Sequence, residues 1–379
     1  MKHINVHLWE ILAQKAVTIV QVFANKTRIY TGTGALHALE CLNSKRLLVV
    51  TDPYFAKNGM AQKVAQAAKA EEVLYFDQVT PDPSVELVAT AVARMQAFQP
   101  DTVAALGGGS AMDCAKAMVY LAEKSVKLVA IPTTSGSGSE VTDFAIITKD
   151  GIKQVRTDDA LQPDVAILDD VFLQELPASL IADAGFDVLT HALEALAAKN
   201  GSAITDALAS ESFCKVFSLL ENSFSGDKSA RLPIHQAATM AGMAFSSAGL
   251  GLCHAMSHAL GGIFHLPHGR LNAILLPHIV ACNAPAAGAK YLELAQKAGL
   301  GGTAQIIGVR NLRNGLVKLR KALGLPSNLV QAGIAPAQVA AKRQEIIKAV
   351  LADPCCGTNP VPVTAQLAEA VLHEVSGIG

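Results

Sequence analysis

What most limits the fold of this chain is a change of rhythm near residue 175. Before it, short β-branched runs alternate with alanine-rich helical segments. RLLVVTD (46–52), EVLYFDQV (72–79), TVAAL (102–106), KLVAIP (127–132) and VAILD (165–169) read as strands, and AQKVAQAAKA and SVELVATAVARMQAF between them read as helices. Parallel strands need helical crossovers, and strands buried on both faces read as continuous apolar runs, so the pattern predicts a parallel sheet flanked by helices. From Ile181 onward the strand runs stop and the text is helical almost throughout, broken at NSFSGDKS (222–229), GLGGT (299–303) and DPCCGTNPVP (353–362). The expected organisation is an α/β unit over 23–180 and an all-α unit over 181–379, with the boundary near ELPASLIADAG (175–185). No repeat of solenoid length is present.

Residues 1–22 form an expected extra element. LWEILAQKAV spaces Leu8, Ile11, Leu12 and Ala16 on one helical face, which suits either a helix packed on its own domain or a detachable targeting or docking helix. The same stretch carries charge and histidine inside its apolar part and lacks a small-residue cleavage site, so it is a poor signal peptide. The chain lacks any run of 18 apolar residues, the ordinary requirement for a membrane-spanning helix. With 51% hydrophobic and 17% charged residues the chain is not a disordered one, and a net charge of −1 gives no electrostatic case for nucleic acid or an anionic membrane. Its seven cysteines are odd in number and contain no CxxC pair, which reads as reduced thiols in the cytoplasm. The partners this leaves are small molecules or other proteins.

Two glycine-rich turns carry the first chemistry. TVAALGGGSAMDCAKAM runs from an apolar strand through Gly107, Gly108 and Gly109 into a helix opening at Ser110. Glycine lets a backbone approach a ligand, and a helix N-terminus offers free N–H groups with a partial positive charge, which suits a phosphate. The spacing is not GxGxxG, and a triple glycine alone reads equally well as a tight turn. A second turn, AIPTTSGSGSEVT (130–142), again leaves a strand and sets Thr133, Thr134, Ser135, Ser137 and Ser139 around Gly136 and Gly138. Two such loops at the strand ends of one sheet predict a nucleotide in the crevice. Asp52, ending an earlier strand, is placed to accept from a ribose diol and repel a 2′-phosphate, favouring NAD over NADP; its other reading is a turn-forming Asp before Pro53.

The second chemistry is a concentration of imidazole. The chain has 11 histidines, and GLCHAMSHALGGIFHLPHG (251–269) holds His254, His258, His265 and His268 in an otherwise apolar stretch. His254 and His258 are four apart and share a helical face, as do Asp187 and His191 in ADAGFDVLTHALEAL. Three imidazoles with a carboxylate make a compact site for a borderline cation such as Fe²⁺ or Zn²⁺. Taken singly, Asp187 also reads as a first-turn acid and His191 as a surface side chain. His265 is expected to line or buttress the cleft without binding metal, while His235, His278, His3, His7, His37 and His373 have no partner spacing and read as ordinary structural residues.

In order and spacing, GGGSAMDCAK, PTTSGSGSEVT, GFDVLTHALEA and GLGLCHAMSHALGGIFHLPHG resemble the motifs of the iron-dependent (group III) alcohol dehydrogenase family, over nearly the full chain. VTPDP, DVLTHALEA and FHLPHG are most similar to the propanol dehydrogenases of bacterial microcompartments. The resemblance implies a Rossmann-like N-terminal α/β domain and an all-α C-terminal domain, the dehydroquinate synthase-like fold. It implies metal ligands Asp187, His191, His254 and His268, with His258 as proton relay. It implies cofactor contacts from Asp52, Asp82, Gly108, Gly109, Ser110, Thr133, Thr134, Ser137 and Lys153. Asp82 stands where the family often has Asn, which weakens its assignment, and Ser137 replaces a frequent Thr while keeping the hydroxyl. Cys253, next to a ligand, is expected to make the site sensitive to oxidation.

The implied activity is reversible hydride transfer between NAD(H) and a small primary alcohol or aldehyde, propanol or ethanol in kind, by a cytoplasmic homo-oligomer that residues 1–22 could carry into a microcompartment. Phe144 and Phe264, with no Arg in the metal motifs, point to a small apolar substrate. The rivals are a glycerol-type polyol dehydrogenase, a dehydroquinate-synthase-type lyase and a non-catalytic microcompartment component.

Overall fold

A computed structural model describes residues 21–122, 125–149 and 151–377. The helix expected over 1–22 lies outside these residues, apart from Gln21 and Val22. Eight strands are seen among the described residues: β1 Arg28–Thr31, β2 Arg46–Thr51, β3 Glu72–Phe76, β4 Thr102–Gly107, β5 Lys127–Pro132, β6 Phe144–Lys149, β7 Ile152–Thr157 and β8 Val165–Leu168. With them run α1 Pro53–Lys57, α2 Met60–Ala68, α3 Val85–Phe98 and α4 Gly109–Leu121. The helical half comprises α5 Ala178–Ala197, α6 Ala203–Phe224, α7 Arg231–Ala248, α8 Leu252–Phe264, α9 His268–Lys297, α10 Gln305–Ala322, α11 Pro336–Ala352 and α12 Ala365–Val375.

Six strands form one parallel sheet in the order β3-β2-β4-β5-β8-β1. Their period-two alternation separates two apolar layers. Leu48, Val50, Val103 and Ala105 face α3 and α4, while Leu47, Val49, Ala104 and Leu106 face α2 and the turn at Ala35–Leu42. The chain runs from β2 outward to β3 and returns to β4 on the other side of β2. That reversal opens a crevice at the carboxyl ends of β2 and β4, where Asp52 and Gly107–Gly109 lie.

The five expected strands are all present, although the second of them ends at Phe76 and not Val79. Two features were not foreseen. The edge strand β1 is four residues long and only partly buried, so it has little apolar pattern. The antiparallel hairpin β6–β7 reverses next to Gly151, which stands at φ +75°. Buried side chains of α4 fix this hairpin and the second glycine turn. Lys116 donates to the Thr142 carbonyl and hydroxyl and to the Phe144 carbonyl, and Asp113 accepts from Ser139 Oγ and the Ile146 N–H. Burial pushes the Asp113 carboxyl up to about 6 and the Lys116 ammonium down to about 8, each partly offset by the other's charge.

Helix α5 is enclosed by α6, α7 and α9 and buries Phe186, Val188, Leu189 and Leu193 around its circumference. Polar groups on such a helix need partners. Helix α9 is long and apolar enough to cross a membrane, but 67% of its most apolar window is buried inside the protein, as suits a core helix.

Candidate metal centre and nucleotide cleft

The two i,i+4 pairs meet. Asp187 and His191 project from the middle of α5, His254 from α8, and His268 from the first residue of α9, directly after Pro267. The Nε2 atoms of His191, His254 and His268 lie 3.7, 3.8 and 3.4 Å from one oxygen, Asp187 Oδ1. Ligands each about 2.0–2.2 Å from a shared ion stand roughly 3–3.5 Å apart, so these separations are slightly expanded ligand spacings. The ligand atoms of Asp187, His254 and His268 all lie within 4.8 Å of one another, and His191 joins them through Asp187. The His268 side chain is 35% exposed against 2% for His254, leaving the site open on one side.

The donor atoms fit a cation. His254 Nε2 is buried with no hydrogen-bond partner, a costly state for an imidazole nitrogen that faces only other ligands. Burial lowers His191 and holds His254 and His268 well below the usual imidazole range, which keeps their lone pairs free.

A supporting shell fixes the ligands. His254 Nδ1 lies 2.6 Å from Glu194 Oε2, one turn beyond His191 on α5. Glu194 also accepts the N–H groups of Gly251, Cys253 and His254 at the start of α8. Burial raises its carboxyl to about 7, and those three N–H groups pull it back. Asn272 Nδ2 donates to Asp187 Oδ1 at 2.8 Å, and Ser257 in turn donates to Asn272 Oδ1. Gly269 lets α9 begin against α5, because a Cβ there would stand 1.9 Å from the Asp183 carbonyl oxygen. Glu194, Asn272 and Gly269 were not singled out from the sequence.

The glycine turns interlock above β4 and β5. A Cβ at Gly108 would stand 3.3 Å from Thr134 Oγ1, and one at Gly109 3.4 Å from Ser137 Cβ. Gly107, at φ +154°, starts the turn, and the Thr133 N–H donates to its carbonyl at 2.9 Å. Ser110 lies in the first turn of α4 and its Oγ accepts the Asp82 N–H. Asp82, in the left-handed region at φ 53°, pairs with Lys153 of the hairpin at 2.6 Å, and both are exposed. Asp52 has its turn-forming role: Oδ1 caps α1 by accepting from Tyr54 and Phe55, while Oδ2 faces Gly107.

One cavity of about 360 Å³ is lined by Gly109, Ser137 and Lys153 together with Asp187, His191, His254, His258 and His268, and by Phe144 and Phe245. Of the other expected cofactor residues, Asp52, Asp82, Gly108, Ser110, Thr133 and Thr134 do not line it. His258 Nδ1 lies 2.8 Å from Asp353 Oδ2 and its ring stacks on His268 at 5.2 Å.

Three expectations need correction. His265 ends α8 in the left-handed conformation, exposed and away from the cavity wall. Phe264 does not line the cavity; Phe245, stacked on His191 at 4.4 Å, does. Cys253 is fully buried and its thiol is raised well above 9 by burial, which suppresses the thiolate that oxidants attack. His235, given no role, is buried with Nδ1 2.9 Å from Ser135 Oγ, joining α7 to the second glycine turn.

The sequence and the fold both have known relatives. Residues 26–170 match the iron-containing alcohol dehydrogenase model, and residues 181–376 match that of the Fe-containing alcohol dehydrogenase family, C-terminal. The chain is 39% identical over 369 residues to the 1-propanol dehydrogenase PduQ of Salmonella typhimurium, covering 94% of this chain and 100% of that one. It is 37% identical to the NADPH-dependent butanol dehydrogenase of Clostridium saccharobutylicum, covering 88% and 92%. The iron-containing alcohol dehydrogenase of Thermococcus thioreducens superposes with a TM-score of 0.88 at 32% identity, covering 94% of this chain and 100% of that one. Family models spanning both halves and a relative aligned end to end agree: the chain belongs to the iron-containing alcohol dehydrogenase family.

Proposed function

We propose that this alcohol dehydrogenase is metal-dependent and NAD-linked, and that it interconverts short primary alcohols and aldehydes such as propanol and propionaldehyde or ethanol and acetaldehyde. The observation that carries the reading is the single cavity joining the glycine turns to the three imidazoles around Asp187. In this reading residues 23–180 hold the nucleotide and residues 181–379 hold the cation.

Asp187, His191, His254 and His268 would hold Fe²⁺, with Zn²⁺ the alternative for the same donors. When bound, the cation polarises the alcohol or aldehyde oxygen and the nicotinamide carries the hydride. The chain's own residues do the rest. Gly108, Gly109 and Ser110 present N–H groups at the start of α4 to a pyrophosphate, with Thr133, Thr134 and Ser137 facing them. Asp52 Oδ2 accepts from a ribose diol and disfavours a 2′-phosphate, and the Asp82–Lys153 pair closes the outer rim. Phe144 and Phe245 supply apolar walls, and among the described residues no arginine lines the cavity to hold a carboxylate. With Nδ1–H donating to Asp353, His258 takes the alcohol proton at Nε2 during oxidation and returns it during reduction. A pocket distinguishes alcohols one methylene apart by only about 1–3 kcal/mol, so neighbouring chain lengths share the site. Relatives named for 1-propanol and butanol support this substrate range.

Family likeness also supports a cytoplasmic homo-oligomer that residues 1–22 carry into a bacterial microcompartment. Deleting them is expected to leave turnover intact and abolish co-purification with a shell.

The deciding experiment is anaerobic reconstitution with Fe²⁺, then NADH and NADPH oxidation with acetaldehyde, propionaldehyde and butyraldehyde. Metal-dependent NADH oxidation is expected with all three. Absence of turnover after full metal loading would refute the reading.

A further inference from the structure

A second set of metal-ligating groups stands on the wall of the same cavity, and only His258 of the three acts in the chemistry above. The ligand atoms of His258, Asp353 and Cys355 all lie within 4.8 Å of one another, with His258 Nδ1 facing Asp353 Oδ2 at 2.8 Å. The cluster is built by the fold. Asp353 Oδ1 accepts the Cys355 N–H at 2.9 Å, capping the tight turn Pro354–Gly357, and this holds carboxylate and thiol on one side of the turn. That turn packs against α8, which supplies His258. All three residues are half-buried, and His258 and Cys355 line the cavity, so an ion can reach them from solvent.

Imidazole, carboxylate and thiol, with a fourth position open to water, form a set suited to zinc; the thiol selects against hard cations such as Mg²⁺ and Ca²⁺. We propose that His258, Asp353 and Cys355 form a second, inhibitory site for a zinc-class divalent cation, distinct from the site around Asp187. Binding forms a sulfur–cation bond, breaks the Cys355 S–H bond and releases one proton to solvent, with no change of oxidation state. His258 keeps one proton, moved from Nδ1 to Nε2 as Nδ1 turns its lone pair to the ion. Asp353 Oδ2 exchanges its hydrogen bond from His258 for a bond to the ion, while Oδ1 keeps the Cys355 N–H. An Nε2 that carries a proton has no lone pair with which to accept another, so occupancy stops the relay. Inhibition therefore rests on the proposed function, whereas binding does not.

The experiment uses the full chain, loaded anaerobically with Fe²⁺ and titrated with Zn²⁺. Metal retained after gel filtration is counted, and alkylation of each cysteine by iodoacetamide is read by peptide fragmentation. The expected result is one zinc retained beside an undiminished iron, slowing of Cys355 alkylation by about tenfold or more, and turnover falling in step with zinc occupancy. Cys355→Ser should retain iron and lose the extra zinc. Zinc replacing iron one for one, or Cys355 alkylation unaffected by zinc, overturns the proposal, and the alkylation result needs no variant. Protein that never turns over, yet retains the extra zinc and protects Cys355, would sink the dehydrogenase reading and leave the site standing.

Discussion

Replacing Gly269 by alanine tests whether the metal centre is set by backbone packing. The new Cβ would stand 1.9 Å from the Asp183 carbonyl oxygen, where ordinary contact begins at 3.4 Å, and its partner is backbone and cannot rotate away. The start of α9 and the middle of α5 must therefore part by about 1.5 Å, and His268, the preceding residue, moves with α9. Metal–ligand distances tolerate about 0.2 Å, so one ligand of the set is withdrawn. Overpacking of this kind costs about 1–3 kcal/mol of stability, and misplacing a reacting group by about 1 Å costs on the order of 100-fold in rate. Gly269→Ala is expected to fold, to unfold at lower urea, and to bind Co²⁺ in a chelator-competition assay at least about tenfold more weakly. Gly308→Ala is the control. Its Cβ would lie 2.8 Å from the Leu292 backbone where α10 meets α9, so it should lose comparable stability and keep its metal. Unchanged Co²⁺ affinity in Gly269→Ala, or equal losses in both variants, would refute the reasoning.

Glu194→Gln removes the charge that orients His254 and should weaken metal binding by about 10–100-fold, measured by the same competition. Asp52→Ser keeps a capping oxygen for α1 but removes the charge facing the nucleotide, and should raise the NADPH-to-NADH ratio of kcat/KM by about tenfold. His235 contributes a pH dependence. Burial holds its folded pKa at about 4 against 6.5 for the free side chain, so the unfolded chain binds a proton that the folded chain refuses between those values. Stability is lost as pH falls from 6.5 towards 4, by about 3 kcal/mol in total. Urea midpoints measured at pH 7 and 4.5 should differ less in His235→Gln than in the parent, and equal differences would contradict the assignment.

The continuous apolar runs revealed the buried strands because those strands are covered on both faces, and β1 was missed because it is short and half-exposed. Within the site, the legible part was local. Asp187 with His191, and His254 with His258, advertise themselves at i,i+4. Glu194 and Asn272 do not, because their meaning comes from groups 60 and 85 residues away in the chain. Phe245 and His235 read as ordinary residues of α7 until that helix is laid along the cavity and the second glycine turn. The Phe144–Thr157 hairpin had a turn signal in Gly151, but its strands lie outside the six-stranded sheet and lack the unbroken apolar run that marks a strand covered on both faces.

The loop that holds Thr134 and Ser137 is also the loop whose Gly136 backbone would bring a Cβ within 3.4 Å of Asp187 Oδ2. If the proposed function holds, whatever stiffens that loop also stiffens a carboxylate of the cation cluster, and occupancy at either end is expected to alter affinity at the other by the same factor. Nucleotide bound at the glycine turns should then slow extraction of the cation by a chelator, and loss of the cation should loosen the hold on the nucleotide.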